Sequence, residues 1–184
     1  MTNTLKVKLL SDNATNPKRN YDTDAGYDIY AAESVIIKPQ EKAIIKTDVA
    51  VDIPKGYVGL LTSRSGVSSK THLVIETGKI DSGFRNGMGI NIKNEEQRLD
   101  WESEMTNKKL EKSYDPLIYD IKGEKINNNN PFGVGTGRKY QIDKGDKLAQ
   151  LVIVPIFTGE VELVDDFTNE TARGTNGFGS SGTR

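Results

Sequence analysis

Several short polar segments carry the residue types with which a protein handles a charged, flat ligand. Asp81 lies in Gly78-Lys79-Ile80-Asp81-Ser82-Gly83-Phe84-Arg85. A carboxylate at such a turn can serve as general base for a water already polarised by phosphate and metal. Phe84 could stack on a sugar or a base. The same letters also spell a β-hairpin with an Asp-Ser-Gly turn. Asp28, between Tyr27 and Ile29, could orient a metal-bound water, hold an arginine, or cap a turn. Ser63-Arg64-Ser65-Gly66 puts a guanidinium between two hydroxyls, with a glycine that admits close backbone approach. Gln150 interrupts the apolar run that follows Gly145-Asp146-Lys147. It must find hydrogen-bond partners if buried, or faces water on an edge strand. The segment Arg173–Arg184 is rich in glycine, Ser, Thr and Asn, with one aromatic, Phe178, and an arginine at each end. It could wrap phosphate oxygens in backbone nests, or be a solvated tail.

Other chemistries are excluded by composition. There is no cysteine and a single histidine, His72, so thiolate sites and His-based metal clusters are ruled out. A Ser-His-Asp triad would have to rest on His72, with no nucleophile elbow beside it. A divalent ion would have to arrive with phosphates, held by oxygens and water, as Mg²⁺ usually is. The net charge of −1 argues against non-specific nucleic-acid binding. No apolar run is long enough to span a membrane, and Met1–Leu5 does not read as a signal peptide. A reducing cytoplasmic setting fits.

The elements that must position these residues are short strands. Alternation at Leu5, Val7 and Leu9 predicts a half-buried strand. Val35–Ile37, Ala43–Val51, Tyr57–Thr62, Leu73–Glu76, Ile90–Lys93, Leu148–Ile156 and Val161–Val164 read as further strands, separated by Gly, Pro, Asp and Ser turns. An all-β sandwich, barrel or jelly roll is expected in a single domain, 1–172, followed by the arm 173–184. Residues 95–137 read as an insert. Nearly half of Glu95–Lys125 is charged; Leu99, Trp101, Met105 and Leu110 fit a helical face only loosely, and Pro116 would end such a helix. The insert contains the only tryptophan, which is either a partner anchor or part of a solvated excursion.

Taken in order, Ala25-Gly26-Tyr27-Asp28, Ser63-Arg64-Ser65-Gly66, Gly78 to Arg85, Gly145 to Leu151, and Arg173 to Gly182 resemble the five-motif series of the homotrimeric dUTPases. The resemblance covers residues 5–94 and about 138–184. It implies a jelly-roll-like β-clip fold, a homotrimer whose active sites are shared between chains, and Mg²⁺-dependent hydrolysis of dUTP to dUMP and pyrophosphate. By position, Asp81 resembles the residue that activates the attacking water, and Asp28 the carboxylate that organises the Mg²⁺–water shell. Arg64, Ser65, Gly66 and Gln150 match phosphate contacts. Backbone from Gly78 through Ile80 to Phe84 would line the uracil, with Phe84 under the deoxyribose. Arg173 would meet the terminal phosphate; Phe178, Gly179 and Ser180 belong to a flexible arm that closes over the nucleotide.

Departures are Phe84 for the usual Tyr, Ser63 for Pro, Asn86 for Gly, Lys147 for Arg and Asn176 for Gly. Asp81 and Asp146 also stand further apart than in compact members. In this the chain is similar to the phage-encoded trimeric dUTPases of staphylococci, which also bind and inactivate a repressor of mobile pathogenicity islands. That implies a repressor partner, met through 95–137 and the active-site region. Two alternatives remain at this point: a nucleotide-gated binding protein on the same scaffold, and a dCTP deaminase.

Overall fold

The computed structural model describes residues 4–97, 117–126, 137–169, 171 and 174. The calls on Trp101, Arg173, Phe178, Gly179 and Ser180 lie outside these residues. In chain order the described elements are β1 (Lys6–Leu9), β2 (Tyr27–Tyr30), β3 (Val35–Ile37), β4 (Lys42–Lys46), β5 (Val49–Asp52), β6 (Tyr57–Ser63), α1 (Ser65–Lys70), β7 (Leu73–Ile75), β8 (Gly78–Ile80), β9 (Gly89–Asn94), β10 (Ile118–Tyr119), β11 (Lys139–Ile142) and β12 (Lys147–Pro155). The expected all-β architecture is present.

Four small sheets share one apolar core. Their orders are β1-β5, β10-β11-β3, β4-β9-β7 and β2-β12-β6-β8. Period-two alternation drives this: along β9, Ile90, Ile92 and Asn94 turn inward while Gly89 and Asn91 turn out. Buried Asn94 is fully employed. Its amide donates to the carbonyls of Ile37 (3.2 Å) and Arg138 (2.8 Å) and accepts from the N–H of Glu96 (3.0 Å). A buried amide so satisfied fixes β9 to β3 and to the start of β11.

The last of the four sheets positions the chemistry. Its spine is β12, which pairs antiparallel with β2 on one side and β6 on the other, with β8 beyond β6. Gly26 lets the chain enter β2 against this spine. A Cβ there would lie 2.9 Å from the carbonyl oxygen of Leu151 and 3.0 Å from Val152 Cγ2. Gly26→Ala is expected to destabilise the fold by about 1–3 kcal/mol through overpacking, seen as a lower urea midpoint; an unchanged midpoint would mean the entry loop retreats freely.

Several expectations need correction. Ala43–Val51 is two strands, because Thr47 turns inward and Asp48 takes a positive φ of 52°. The Thr47 hydroxyl donates to the Met88 carbonyl at 2.8 Å and accepts from the Val49 N–H, which pins the break. Val161–Val164 is not a strand: nothing among the described residues pairs with it, and Val161 and Leu163 are 93% and 96% exposed. The helix expected in the insert before Pro116 lies almost wholly outside the described residues, whereas 117–126, after that proline, holds strand β10 and a turn. There β10 joins β11 in parallel, and Asp120 accepts from the N–H groups of Lys122 and Glu124. Helix α1 had no signal in the sequence, since Val67 is its only buried residue. No helix among the described residues is long and apolar enough to cross a membrane.

Candidate active site

At one end of the β2-β12-β6 spine, Asp28, Gln150 and Thr62 face one another across three strands. Asp28 is only 7% exposed, and its carboxylate is a hub. Oδ1 accepts from Arg64 Nε at 2.9 Å, and Oδ2 accepts from Lys147 Nζ at 2.8 Å and Asn20 Nδ2 at 3.2 Å. Of the readings open for Asp28, the geometry favours holding an arginine. Arg64 folds over β12 towards β2, and its NH1 reaches the Lys147 carbonyl at 3.4 Å. With Nε engaged, the guanidinium is fixed in orientation while its terminal nitrogens keep donors for an anion. Lys147 lies 5.8 Å from the Tyr30 ring centroid. Its hydrogen bond to Asp28 holds the ammonium above the usual lysine value, against opposing burial and Arg64, so it is charged throughout the physiological range. Two cations on one buried carboxylate leave local positive charge, which suits a polyphosphate.

Ser65 and Gly66 follow at the exposed start of α1. The N–H groups of Val67 and Ser68 both donate to the Arg64 carbonyl, while those of Ser65 and Gly66 have no acceptor among the described residues and stand as first-turn donors. Gln150 stands on the central strand, half-buried, and its side chain has no hydrogen bond among the described residues. The edge-strand alternative is therefore excluded. The turn into β12 depends on Gly145, at φ 91°, whose N–H donates to the Ala31 carbonyl. Burial pushes the Asp146 carboxyl up, against the Asp143 N–H that it accepts.

Asp81 and Phe84 lie elsewhere. Strand β8 pairs with β6 so that Gly78 faces Leu61 and Ile80 faces Gly59. Asp81 therefore falls opposite Val58, next to the start of β6, whereas Arg64 leaves its far end. At about 3.3 Å per residue the two positions are roughly 20 Å apart along the strand. Arg64 is also drawn towards β2, away from β8. The turn at Asp81 closes through the Phe84 N–H on the Asp81 carbonyl at 3.0 Å, and both side chains are exposed. It is not a β8–β9 hairpin: β8 pairs with β6, and β9 lies between β4 and β7. The Ile80 side chain is part of the core, so only its backbone can meet a ligand. Among the described residues β8 pairs on one side alone, which leaves backbone donors and acceptors for a planar base. One chain thus brings Asp28, Arg64, Ser65, Gly66 and Gln150 together, and separately Gly78, Ile80, Asp81 and Phe84.

Sequence reasoning missed Asn20 and gave Lys147 no task. Asn20 Oδ1 accepts from Lys147 Nζ at 3.1 Å, and its backbone N–H donates to Asp24 Oδ2 at 3.0 Å. A polar residue eight positions before Asp28, in a loop, carries no pattern that could have exposed it.

The donor set fits Mg²⁺ only in the phosphate-borne manner. No group of three or more His, Asp or Glu residues among those described could cage a cation, and the oxygens of Asp28 are already engaged. An ion held by substrate oxygens, with Asp28 reached through water, agrees with these residues.

The dUTPase family model matches residues 12–99 and 132–182. The deoxyuridine 5'-triphosphate nucleotidohydrolase of Clostridium tetani is 31% identical over 181 residues, covering 97% of each chain. The mitochondrial enzyme of Homo sapiens is 32% identical over 178 residues, and there the chain spans only 54% of the relative's length. The Staphylococcus bacteriophage 80alpha dUTPase with dUpNHpp is 54% identical, covers 98% of this chain and 99% of its own, and superposes with a TM-score of 0.82. It is described as controlling transfer of virulence genes by a proto-oncogenic G protein-like mechanism. A dUTPase variant from phage phi11 of S. aureus, solved for its structural Mg(II) ion, is 55% identical, covers 90% of this chain and 99% of its own, and gives 0.73. The order of the polar segments, the strand architecture that presents them and these matches agree: the chain belongs to the dUTPase family.

Proposed function

We propose that this protein hydrolyses dUTP to dUMP and pyrophosphate at a site shared between copies of the chain. The observation that carries the reading is the pair of cations, Arg64 and Lys147, fixed on Asp28 beside Gln150 and the start of α1. Arg64, Ser65, Gly66 and Gln150 receive the phosphates. The open edge of β8 takes the uracil, and Phe84 lies against the deoxyribose. Asp81 aligns a water and accepts its proton as the water oxygen bonds to the α-phosphorus. The bond from that phosphorus to the bridging oxygen breaks, and pyrophosphate leaves. Mg²⁺ is the cofactor; when bound it neutralises phosphate charge and fixes the triphosphate for in-line attack. Arg173, Phe178, Gly179 and Ser180 close over the nucleotide.

Two features support an assembly of several copies, which we read as the homotrimer that the sequence resemblance implies. The base and phosphate halves are too far apart in one chain to act on one nucleotide. The apolar side chains of Ile156, Phe157, Val161, Leu163, Val164 and Phe167 are exposed, uncovered by any of the described residues. A second copy supplies that cover, and with it the missing half of each site.

A second role is a protein partner, a repressor met by 95–137 and the active-site region of an enzyme working in bacterial cytoplasm. The virulence-gene control described for the phage 80alpha neighbour favours it. The catalytic reading is tested by incubating the protein with each dNTP, with Mg²⁺ or with EDTA. Pyrophosphate is expected from dUTP alone and only with Mg²⁺. Ammonia from dCTP would replace this reading with the deaminase.

A further inference from the structure

We infer that Asn20 is a positioning residue of the phosphate site, setting the direction in which Arg64 is offered to the substrate. The inference rests on the phosphate-binding reading of Arg64. Three contacts close a ring: Lys147 Nζ to Asp28 Oδ2 (2.8 Å), Lys147 Nζ to Asn20 Oδ1 (3.1 Å), and Asn20 Nδ2 to Asp28 Oδ2 (3.2 Å). The amide therefore uses both its faces, accepting from the cation and donating to the anion. That assignment of its oxygen and nitrogen is the one that satisfies both neighbours.

The ring is anchored to the loop behind it. Asp24 Oδ2 accepts from the backbone N–H groups of both Asn20 and Tyr21, at 3.0 Å each. Arg19 NH1 donates to the carbonyl of Asp22 at 3.2 Å, and its guanidinium lies 5.4 Å from the Tyr27 ring centroid. Asn20 is thus presented by a fixed backbone, on the strand-entry side of Asp28.

The consequence concerns the other carboxylate oxygen. With Oδ2 held by Asn20 and Lys147, Oδ1 is left to Arg64 Nε. Without the amide, the carboxylate can turn and Lys147 can bridge both oxygens. Arg64 then loses the contact that fixes its plane. Arg64 acts on phosphate in the bound and transition states alike, so the loss falls on binding more than on turnover.

The test compares steady-state dUTP hydrolysis by the wild-type assembly, Asn20→Ala and Asn20→Asp, with melting temperatures. For Asn20→Ala, KM is expected to rise about fivefold, the worth of one net hydrogen bond, while kcat stays within about twofold. Asn20→Asp keeps the size and the acceptor for Lys147 but sets a like charge against Asp28, and its KM is expected to rise at least as far. Being isosteric, it also serves if the alanine variant does not fold. Unchanged KM in both variants, or a fall in kcat and melting temperature with KM unmoved, would overturn the assignment. Wild-type protein that releases no pyrophosphate overturns the underlying function instead.

Discussion

Asp81→Asn is expected to lower kcat for dUTP by roughly 10²–10⁴-fold, the usual contribution of a positioned general base. Folding and assembly should be untouched, because the side chain is exposed in the turn after β8 and makes no ion pair among the described residues. Asparagine keeps size and polarity and removes the negative charge, and with it the capacity to take a proton. Stopped assays of pyrophosphate release, with circular dichroism and sizing of the same sample, separate chemistry from structure. Hydrolysis at the wild-type rate would remove Asp81 from its assigned role. The same variant divides the two proposed activities: repressor binding that survives the loss of turnover shows that recognition needs no catalysis.

Mixing two dead variants is expected to restore activity. Arg64→Ala removes the guanidinium held on Asp28, and Asp81→Asn removes the proposed base, at the opposite end of β6 from Arg64. If each site takes these groups from different copies, a randomly mixed trimer contains intact sites. One site in four has both wild-type groups by chance, so an equal mixture refolded together should reach about a quarter of wild-type turnover. Each variant refolded alone stays inactive. Recovery no greater than that of the single variants would place both groups in one chain and contradict the distance argument.

The legible part of this protein was the set of polar segments at strand ends, together with the all-β class. Asp28, Arg64, Gln150 and Asp81 stood out because carboxylate, guanidinium and amide side chains interrupt apolar alternation beside glycines. Local pattern does not report what lies opposite. The hub on Asp28 joins Asn20, Arg64 and Lys147 from three separate segments, and only the register of β2, β12 and β6 brings them together. Register also separated Asp81 from Arg64, which no reading of spacing could do. The composition of Val161–Val164 suits a strand, but composition cannot say whether a partner strand exists in the same chain. The break at Thr47–Asp48 was hidden because Thr47 looks like a strand residue until its hydroxyl is seen on the Met88 carbonyl.

The uncovered stretch from Ile156 to Phe167 also sets a problem of timing. A newly folded monomer carries this apolar surface into a crowded solution before it meets its own kind. Productive encounter and aggregation then compete, and both speed up with concentration, though not to the same order. Recovery of activity after denaturation should therefore pass through an optimum in protein concentration, with too dilute a sample stalling as monomer and too dense a one precipitating.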